Sequence, residues 1–518
     1  MTISNSELSK VLDKRHPDYD GKFNEWLFYK ATYDGGRAWF EKNIFKYVKE
    51  GETEYAERLE RAYRFNHTRE VVDLVNKYIF KAEIARKDDA PEYIKAFWEN
   101  ATLQKRDIDH FMPILSSLAS IYGRVWVVVD SNIPNGIVSK ADAKKAKGRC
   151  YCYTVSPTDV LDLAFDDDGE LLWIKIREAV RDDADPFSYT GNVTEKVRVW
   201  TRNEWYLFST EKTPSNAKYE LEDSGEHGLG IVPVTYLDHS ETESPFTSTA
   251  LIAEIAYLDK AVANYLSNLD AIIQDQTFSQ LVIPAEAVAF TDDDENNIAA
   301  KLLEFGTKRI FLYHSGETNQ TPEFIAPDPK QAGVILAMIN KIIGEIYHSV
   351  GMSGERTKED NAMGIDNSSG VAKAYDFERM NAMLANKAKS LEFCENRILR
   401  LVKAWNGDLN DIDDVEEFVN YSRDFDVRNL SNEFDIANNL AILNAPKSLR
   451  QEQMRNLVEK LYPQLSEQIK KTIDNDISKD WVESLKALET AAIKPEATAG
   501  STKTGSQGQN NKPAKKTV

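Results

Sequence analysis

Residues 364–380, GIDNSSGVAKAYDFERM, change character in the middle. Gly364, Asp366, Asn367 and Ser368 are loop residues, which supply turns and local side-chain hydrogen bonds rather than a ladder. From Ser369 the apolar positions recur at helical spacing, and the pattern continues to about Trp405. A straight helix of that length would span roughly 55 Å. Upstream, residues 329–350 read as another helix. Asp328 suits its N-cap, Pro329 its first position, and Gly351 its end. A polar loop between two long helices is the feature around which the rest of the chain is organised.

Working outward, a further long helix precedes these. After Ser244-Pro245 the chain turns helical, with apolar residues at Leu251, Ile255, Leu258, Val262, Leu266, Leu269 and Ile273. That stripe lasts about 27 residues, or roughly 40 Å. Glu254, Asp259 and Asp270 lie between its members, so the helix is amphipathic. Between the two helices, residues 276–327 form a small mixed module. FSQLVIPAEAV and KRIFLYHSG read as strands, and a short helix is expected at 296–303.

Residues 5–120 read as mostly helical, with Leu59, Tyr63, Val71, Val72, Leu74 and Val75 at helical spacing. Trp26, Phe28, Tyr29, Trp39 and Phe40 sit among charges there and are expected to pack in the core or between subunits. IYGRVWVVVD, from residue 121, reads as a strand. Residues 152–180 read as two or three strands with a turn at Asp167-Asp168-Gly169, and KVRVWTRNEWYLFST as a hairpin turning near Arg202-Asn203. GLGIVPVTYLDHS contains Pro233 and is expected at a sheet edge. Residues 406–490 read as helical again, with loops at NGDLNDIDD (406–414) and LNAPKS (443–448). The end, from Ile493, is Gly, Ser, Thr, Gln and Lys with almost nothing apolar, a composition that cannot bury enough surface to order itself.

The chain has 518 residues and a formal net charge of −20. Free nucleic-acid binders carry a basic excess, because neutralising phosphates drives their affinity. The acidity disfavours a sequence-reading DNA binder but allows a channel through which DNA slides without sticking. Cys150 and Cys152 share one face of a strand, too close for an easy disulfide, and with Cys394 are expected to be small buried residues. The start has no signal-peptide core, and no run of roughly 18 apolar residues appears. A cytoplasm-like compartment is expected. SGERTKED lacks the glycine spacing of a P-loop, no nucleophile elbow is present, and the seven histidines are scattered. The acidic run Asp166 to Glu170 lacks EF-hand spacing and reads as a solvated hairpin turn. No cofactor or metal is expected.

The pattern is therefore mechanical. Two long amphipathic helices bracket a strand-rich module, and a hairpin of that kind buries only one stripe on each helix. The rest is covered either by other parts of a monomer or by identical neighbours in a closed ring. Periodicity leaves both readings open.

Five segments, in order, resemble the portal, or head-to-tail connector, proteins of tailed bacteriophages. They are YGRVWVVVD, VSPTDVLDLAFDDDGELLWIKI, GIVPVTYLDHS, TALIAEIAYLDKAVANYLSNLDAI (with Leu258, Asp259, Asn264 and Ser267) and SSGVAKAYDFERMNAMLANKAKSLEF (with Lys387 and Ala388). The resemblance runs over about residues 20–490. It implies an α+β, mainly helical portal fold, assembled as a ring, commonly of twelve subunits, around a central channel. Residues 1–245 and the helix 369–405 would form the wing, 246–275 and 328–352 the stem, and 276–327 the clip. Residues 353–368 would be the tunnel loop, 406–490 the crown, and 491–518 a tail. The crown is smaller than in many relatives.

The resemblance also implies a function without catalysis. The ring would occupy one capsid vertex of the virion after assembly in the host cytoplasm, package and release double-stranded DNA without sequence preference, and contact no membrane. Its partners would be its own copies, the large terminase subunit, head-tail connector or adaptor proteins, and the major capsid and scaffold proteins. Tunnel-loop residues Glu355, Arg356, Lys358, Asn361, Met363, Ile365 and Asn367 would meet the channel, Met363 and Ile365 through van der Waals contact. Lys341 and Glu345 would lie on the channel face of the second stem helix. The channel is expected to be mostly negative. The alternatives are another structural protein of the head-tail joint, and a Mg-dependent nuclease or hydrolase fused to a helical domain.

Overall fold

The computed structural model describes residues 5–81, 84–132, 148–183, 185–213, 216–277, 280–284, 310–313, 323–325, 328–352, 370–408, 417–423, 425, 443, 446–461, 469 and 471–477. The chain divides into two compact units, residues 1–426 and 427–518. In the second, helix α11 (Lys447–Leu461) carries Arg455, which pairs with Glu452 at 3.1 Å and with Asp474.

The first unit begins with helices α1 (Asn5–Leu12), α2 (Pro17–Asp34), α3 (Arg37–Asn43), α4 (Glu52–Arg61) and α5 (His67–Ile79). A short strand, β1 (Ala85–Arg86), leads to α6 (Glu92–Glu99) and α7 (Ile108–Tyr122). Side chains start three of these helices. His16 Nδ1 accepts from the Asp18 amide ahead of α2. Asn66 accepts from the Arg69 amide ahead of α5, and Asp107 from the His110 amide ahead of α7. Trp26, Tyr29 and Trp39 are buried, as their helical spacing predicts.

The strand expected from residue 121 starts three residues later. Ile121 and Tyr122 complete α7, and Gly123 ends it at φ +89°. A Cβ at Gly123 would lie 1.9 Å from the Ser248 carbonyl oxygen, so glycine is needed for both conformation and space. Strand β2 (Arg124–Ser131) follows. Its residues Val125 to Val129 are all 0% exposed. That continuous apolar run has a simple cause. β2 is the central strand of an antiparallel sheet, between β3 (Cys150–Val155) and β9 (Val234–Asp238), and both α7 and a later long helix pack on it. Pro233 immediately precedes β9 at the sheet edge, where its missing N–H costs no ladder bond.

A second sheet is an antiparallel meander of β4 (Val160–Phe165), β5 (Leu171–Arg181), β6 (Val193–Thr201), β7 (Glu204–Thr213) and β8 (Asn216–Glu226). The acidic run forms the β4–β5 turn: Gly169 has φ +81°, and Asp166 accepts from the Asp168 and Glu170 amides. Strand β8 is absent from the sequence reading. Its charges alternate with Tyr219, which is buried, and Leu221, which is 54% exposed, a pattern that serves an edge strand with one open face.

The first long helix, α8 (Ile255–Thr277), starts later than Ser244-Pro245 suggests. Ser244 Oγ accepts from the Phe246 and Thr247 amides, and Ser248 Oγ donates to the Ser240 carbonyl. These hydroxyls hold the segment in turns that compete with helix. Beyond α8, β10 (Gln280–Pro284) lies between β11 (Ile310–Tyr313), parallel to it, and β12 (Glu323–Ile325), antiparallel to it. β12 is a strand the sequence reading lacks. The helix expected at 296–303 falls outside the described residues.

Helix α9 (Pro329–Ser349) has the predicted start. Asp328 is its N-cap, accepting from the Lys330 amide, and Gly351 follows its end at φ +72°. Helix α10 (Gly370–Trp405) has 36 residues, about 54 Å of rise. Beyond the loop expected at 406–414, where helix is expected again, the chain forms strand β13 (Val419–Asn420), which pairs with β1.

Candidate functional site

Helices α8 and α9 pack on each other. At one end they are tied by the pairing of Gln280 with Ile325. At the other, both stand on the first turn of α5. Asp259 of α8 is 0% exposed, and its Oδ2 accepts from the Thr68 amide (3.2 Å), the Thr68 hydroxyl (2.8 Å) and Arg64 Nη1 (2.9 Å). Tyr347 of α9 donates its hydroxyl to Glu70 Oε2 at 2.6 Å and lies 3.2 Å from His67 Nδ1. The two helices therefore form an antiparallel hairpin whose feet rest on adjacent residues, His67 and Thr68. A carboxylate placed at the positive end of α5 is favourable in its own right.

The segment from α3 to α5 continues this attachment along α8. Asn264 donates to the Asn43 carbonyl at 3.0 Å and accepts from the Phe45 amide at 2.9 Å. Arg58 donates to Ser267 Oγ at 2.9 Å while paired with Glu50 at 2.7 Å, and Arg61 meets Asp270 at 3.2 Å. The Arg58 hydrogen bond holds the Glu50 carboxyl below its usual range. Arg64 stacks over the Trp39 ring at 4.0 Å; burial lowers its affinity for its proton, and Asp259 partly restores it.

Helix α9 is divided along its length and around its girth. Ile339, Ile342, Ile346 and Tyr347 are buried, all in the half near the feet. In the outer half Val334 is 71% exposed, Leu336 46% and Met338 43%. At about 100° per residue, the ridge directly opposite the buried stripe carries Lys330, Ala337, Lys341, Gly344 and His348, all exposed. Val334, Met338 and Glu345 form one shoulder of that ridge, and Leu336 lies on the other. Lys341 and Glu345, the two stem residues expected to share a face, are thus both exposed and separated by about 40°.

Helix α10 is the spine behind the hairpin. Leu384, Ala388, Leu391, Ile398 and Val402 are all 0% exposed, spaced by alternating threes and fours with Glu395 filling the one gap. They pack on β2, β9 and the helices α5 to α7. Two buried charges fix the register. Lys387 donates to the Ser116 carbonyl at 3.0 Å, to Ser120 Oγ, and to His239 Nδ1 at 3.3 Å. Burial brings its pKa down to about 7. His239 is pushed well below the ordinary imidazole value by burial and by Lys387, so it accepts as a neutral ring. Glu395 accepts from Arg86 Nε at 3.1 Å and from the Tyr421 hydroxyl at 2.6 Å; burial raises its pKa, opposed by Arg86.

The seven tunnel-loop residues, Glu355, Arg356, Lys358, Asn361, Met363, Ile365 and Asn367, fall outside the described residues. Sequence reasoning singled out Asp259, Asn264, Ser267 and Lys387 but not their partners Arg58, Arg64, Thr68 and Ser120. Those partners lie 191 to 267 positions away, and no local pattern connects them. Among the described residues no three His, Cys, Asp or Glu side chains converge as a metal site, and no helix is long and apolar enough to cross a membrane.

The family model described as phage portal protein, SPP1 Gp6-like, matches residues 19–479. None of the curated proteins matches the chain. Among solved structures, the chain is similar to one from the neck of an empty GTA particle computed with C6 symmetry, at 9% identity and a TM-score of 0.37, covering 73% of this chain and 86% of that one. It is also similar to one from the virion of a native gene transfer agent particle, at 8% identity and a TM-score of 0.36, covering 78% and 92%.

Proposed function

The chain belongs to the SPP1 Gp6-like phage portal protein family, and from that premise we propose that it forms a ring of identical subunits around a DNA channel at one capsid vertex. The match over residues 19–479 is the observation that carries this reading. In it, α8 and α9 are the stem, β10 to β12 belong to the clip, α10 is the strut behind the stem, and residues 353–368 are the tunnel loop. The wing comprises residues 1–245 with 369–405, and the crown 406–490. The ring would admit DNA during packaging, docking the terminase motor, and would later bind connector proteins. Its other neighbours would be capsid and scaffold proteins.

The girth of α9 supports this arrangement. In a ring each hairpin has a neighbour on either side and a channel in front. The apolar side chains of the shoulders, Val334 with Met338 on the side that also carries Glu345 and Leu336 on the other, suit neighbouring copies. The ridge between them is narrow and suits a lining, with small residues and lysines. It adds no carboxylate, so the acidity expected of the channel would come from other segments. Work done on the loop would pass to α10, whose buried stripe and two internal charges keep it from sliding.

Negative-stain imaging of the purified chain tests the ring directly. Annular particles are expected, and a compact monomer at high concentration contradicts the proposal. Deleting residues 355–367 should leave the annuli intact and impair packaging or DNA retention. Unimpaired packaging and retention would remove the loop's role while leaving the ring standing.

A further inference from the structure

Arg400, near the end of α10, is only 7% exposed. Its Nη1 donates to Glu170 Oε1 at 3.0 Å, whereas Nε and Nη2 are buried without a hydrogen-bond partner among the described residues. Thr235 of β9 is 4% exposed, and its hydroxyl is likewise unpartnered. Both side chains line one cavity of about 20 Å³, together with Arg397, Glu170 and aliphatic side chains including Val232 and Leu401. Space of that size holds one water-sized particle.

The charges in this corner do not balance. Arg397 approaches the same Glu170 oxygen at 3.7 Å, so two guanidinium groups share one carboxylate. The adjoining Asp166 is already paired with Arg202. One positive charge is left over, and the unpartnered Arg400 nitrogens and Thr235 hydroxyl belong to two nearly buried side chains that line the cavity. Buried charged donors are costly to leave unsatisfied. Water would accept from these donors but would also need acceptors for two protons of its own. A halide only accepts, and it supplies the missing charge.

We propose that this cavity binds a single monovalent anion of halide size, with chloride as the ordinary occupant. The ion would join three elements that no direct hydrogen bond from Arg400 Nε or Nη2 now connects: the C-terminal part of α10, strand β9 and the β4–β5 turn. It would pin the strut's far end to the sheet.

The test uses the purified full chain, with chloride exchanged for gluconate at constant ionic strength. Raising chloride from 1 to 150 mM should lift the unfolding midpoint by roughly 2–4 °C, as a ligand specific to the folded state does. Bromide should substitute, and its anomalous signal in crystals should mark the cavity. R400M should abolish the response. T235V, which keeps every charge and nearly the same volume, should blunt it even if R400M fails to fold. A flat midpoint in the wild-type chain overturns the proposal. So does a response that T235V leaves intact, or a cavity peak unchanged in halide-free crystals, which would be water.

Discussion

The two halves of α9 are built on opposite terms. Near the feet, Ile339, Ile342, Ile346 and Tyr347 are buried by the same chain, and polar groups with named partners fix the position. In the outer half, Val334, Leu336 and Met338 stand exposed around a ridge of small residues and lysines. The base is specified from within, by buried polar contacts that tolerate no slippage. The outer half is unfinished as a single copy. A helix hydrophobic beyond its buried stripe needs cover, and continuous exposed apolar surface marks an interface. On the proposed ring, the contrast separates residues that hold the subunit together from residues that would meet neighbouring copies.

Substitutions at the two halves should therefore divide stability from assembly. The largest loss of subunit stability is expected at the base. Asp259→Ala leaves the Arg64 guanidinium, 4% exposed, on the Trp39 ring and the Thr32 carbonyl without the carboxylate that balances its charge. Removing one partner of such a pair costs about 3–5 kcal/mol, readable in urea unfolding. A cost under about 1 kcal/mol would mean that the feet do not depend on this pair.

Lys387 behind the hairpin should give a pH signature. Its folded pKa is about 7, against about 10.4 for an unfolded chain. Between those values the unfolded chain binds a proton that the folded chain has released, so stability should rise as pH climbs from about 7 to about 10. Lys387→Met should flatten that rise. An unchanged slope would assign it to other groups.

Tyr347→Phe is a milder cut at the base. It removes the hydrogen bond to Glu70 and the contact with His67 while keeping the ring packed, for an expected loss of about 0.5–1.5 kcal/mol. At the outer half the order reverses. The double change Val334→Asp with Met338→Asp should move subunit stability by no more than about 0.5 kcal/mol. It should nevertheless abolish assembly in size-exclusion chromatography. If assembly survives, the exposed shoulder is not the interface.

Much of this contrast was legible in the sequence. The Asp328-Pro329 start, the Gly351 end and the long run to Trp405 are local signals, and each falls where the pattern puts it. So do the turns at Gly169 and near Arg202-Asn203. What sequence missed has physical reasons. The late start of α8 comes from serine and threonine hydroxyls that bond back to the chain, a choice settled by packing against Gly123. Strand β8 is polar because one of its faces is open, and β12 is only three residues long. The partners of Asp259 and Lys387 are tertiary. Arg58, Arg61 and Arg64 look like any exposed helical arginines until α8 is laid beside them. The family resemblance puts Lys341 and Glu345 on the channel face of the second stem helix, but the ridge and its shoulders become distinguishable only once the buried stripe is known.

Thiol labelling offers the most direct measurement. The native cysteines give a low background: Cys152 and Cys394 are buried, and burial pushes the Cys150 thiol up to about 12. Val334→Cys and Lys341→Cys would place single reporters on a shoulder and on the ridge of α9. In assembled particles, the account predicts that a small maleimide reaches position 341 freely and is excluded from position 334, while both react in dissociated subunits. Equal labelling of the two positions in the assembled particle, or protection of 341 with 334 open, would contradict it.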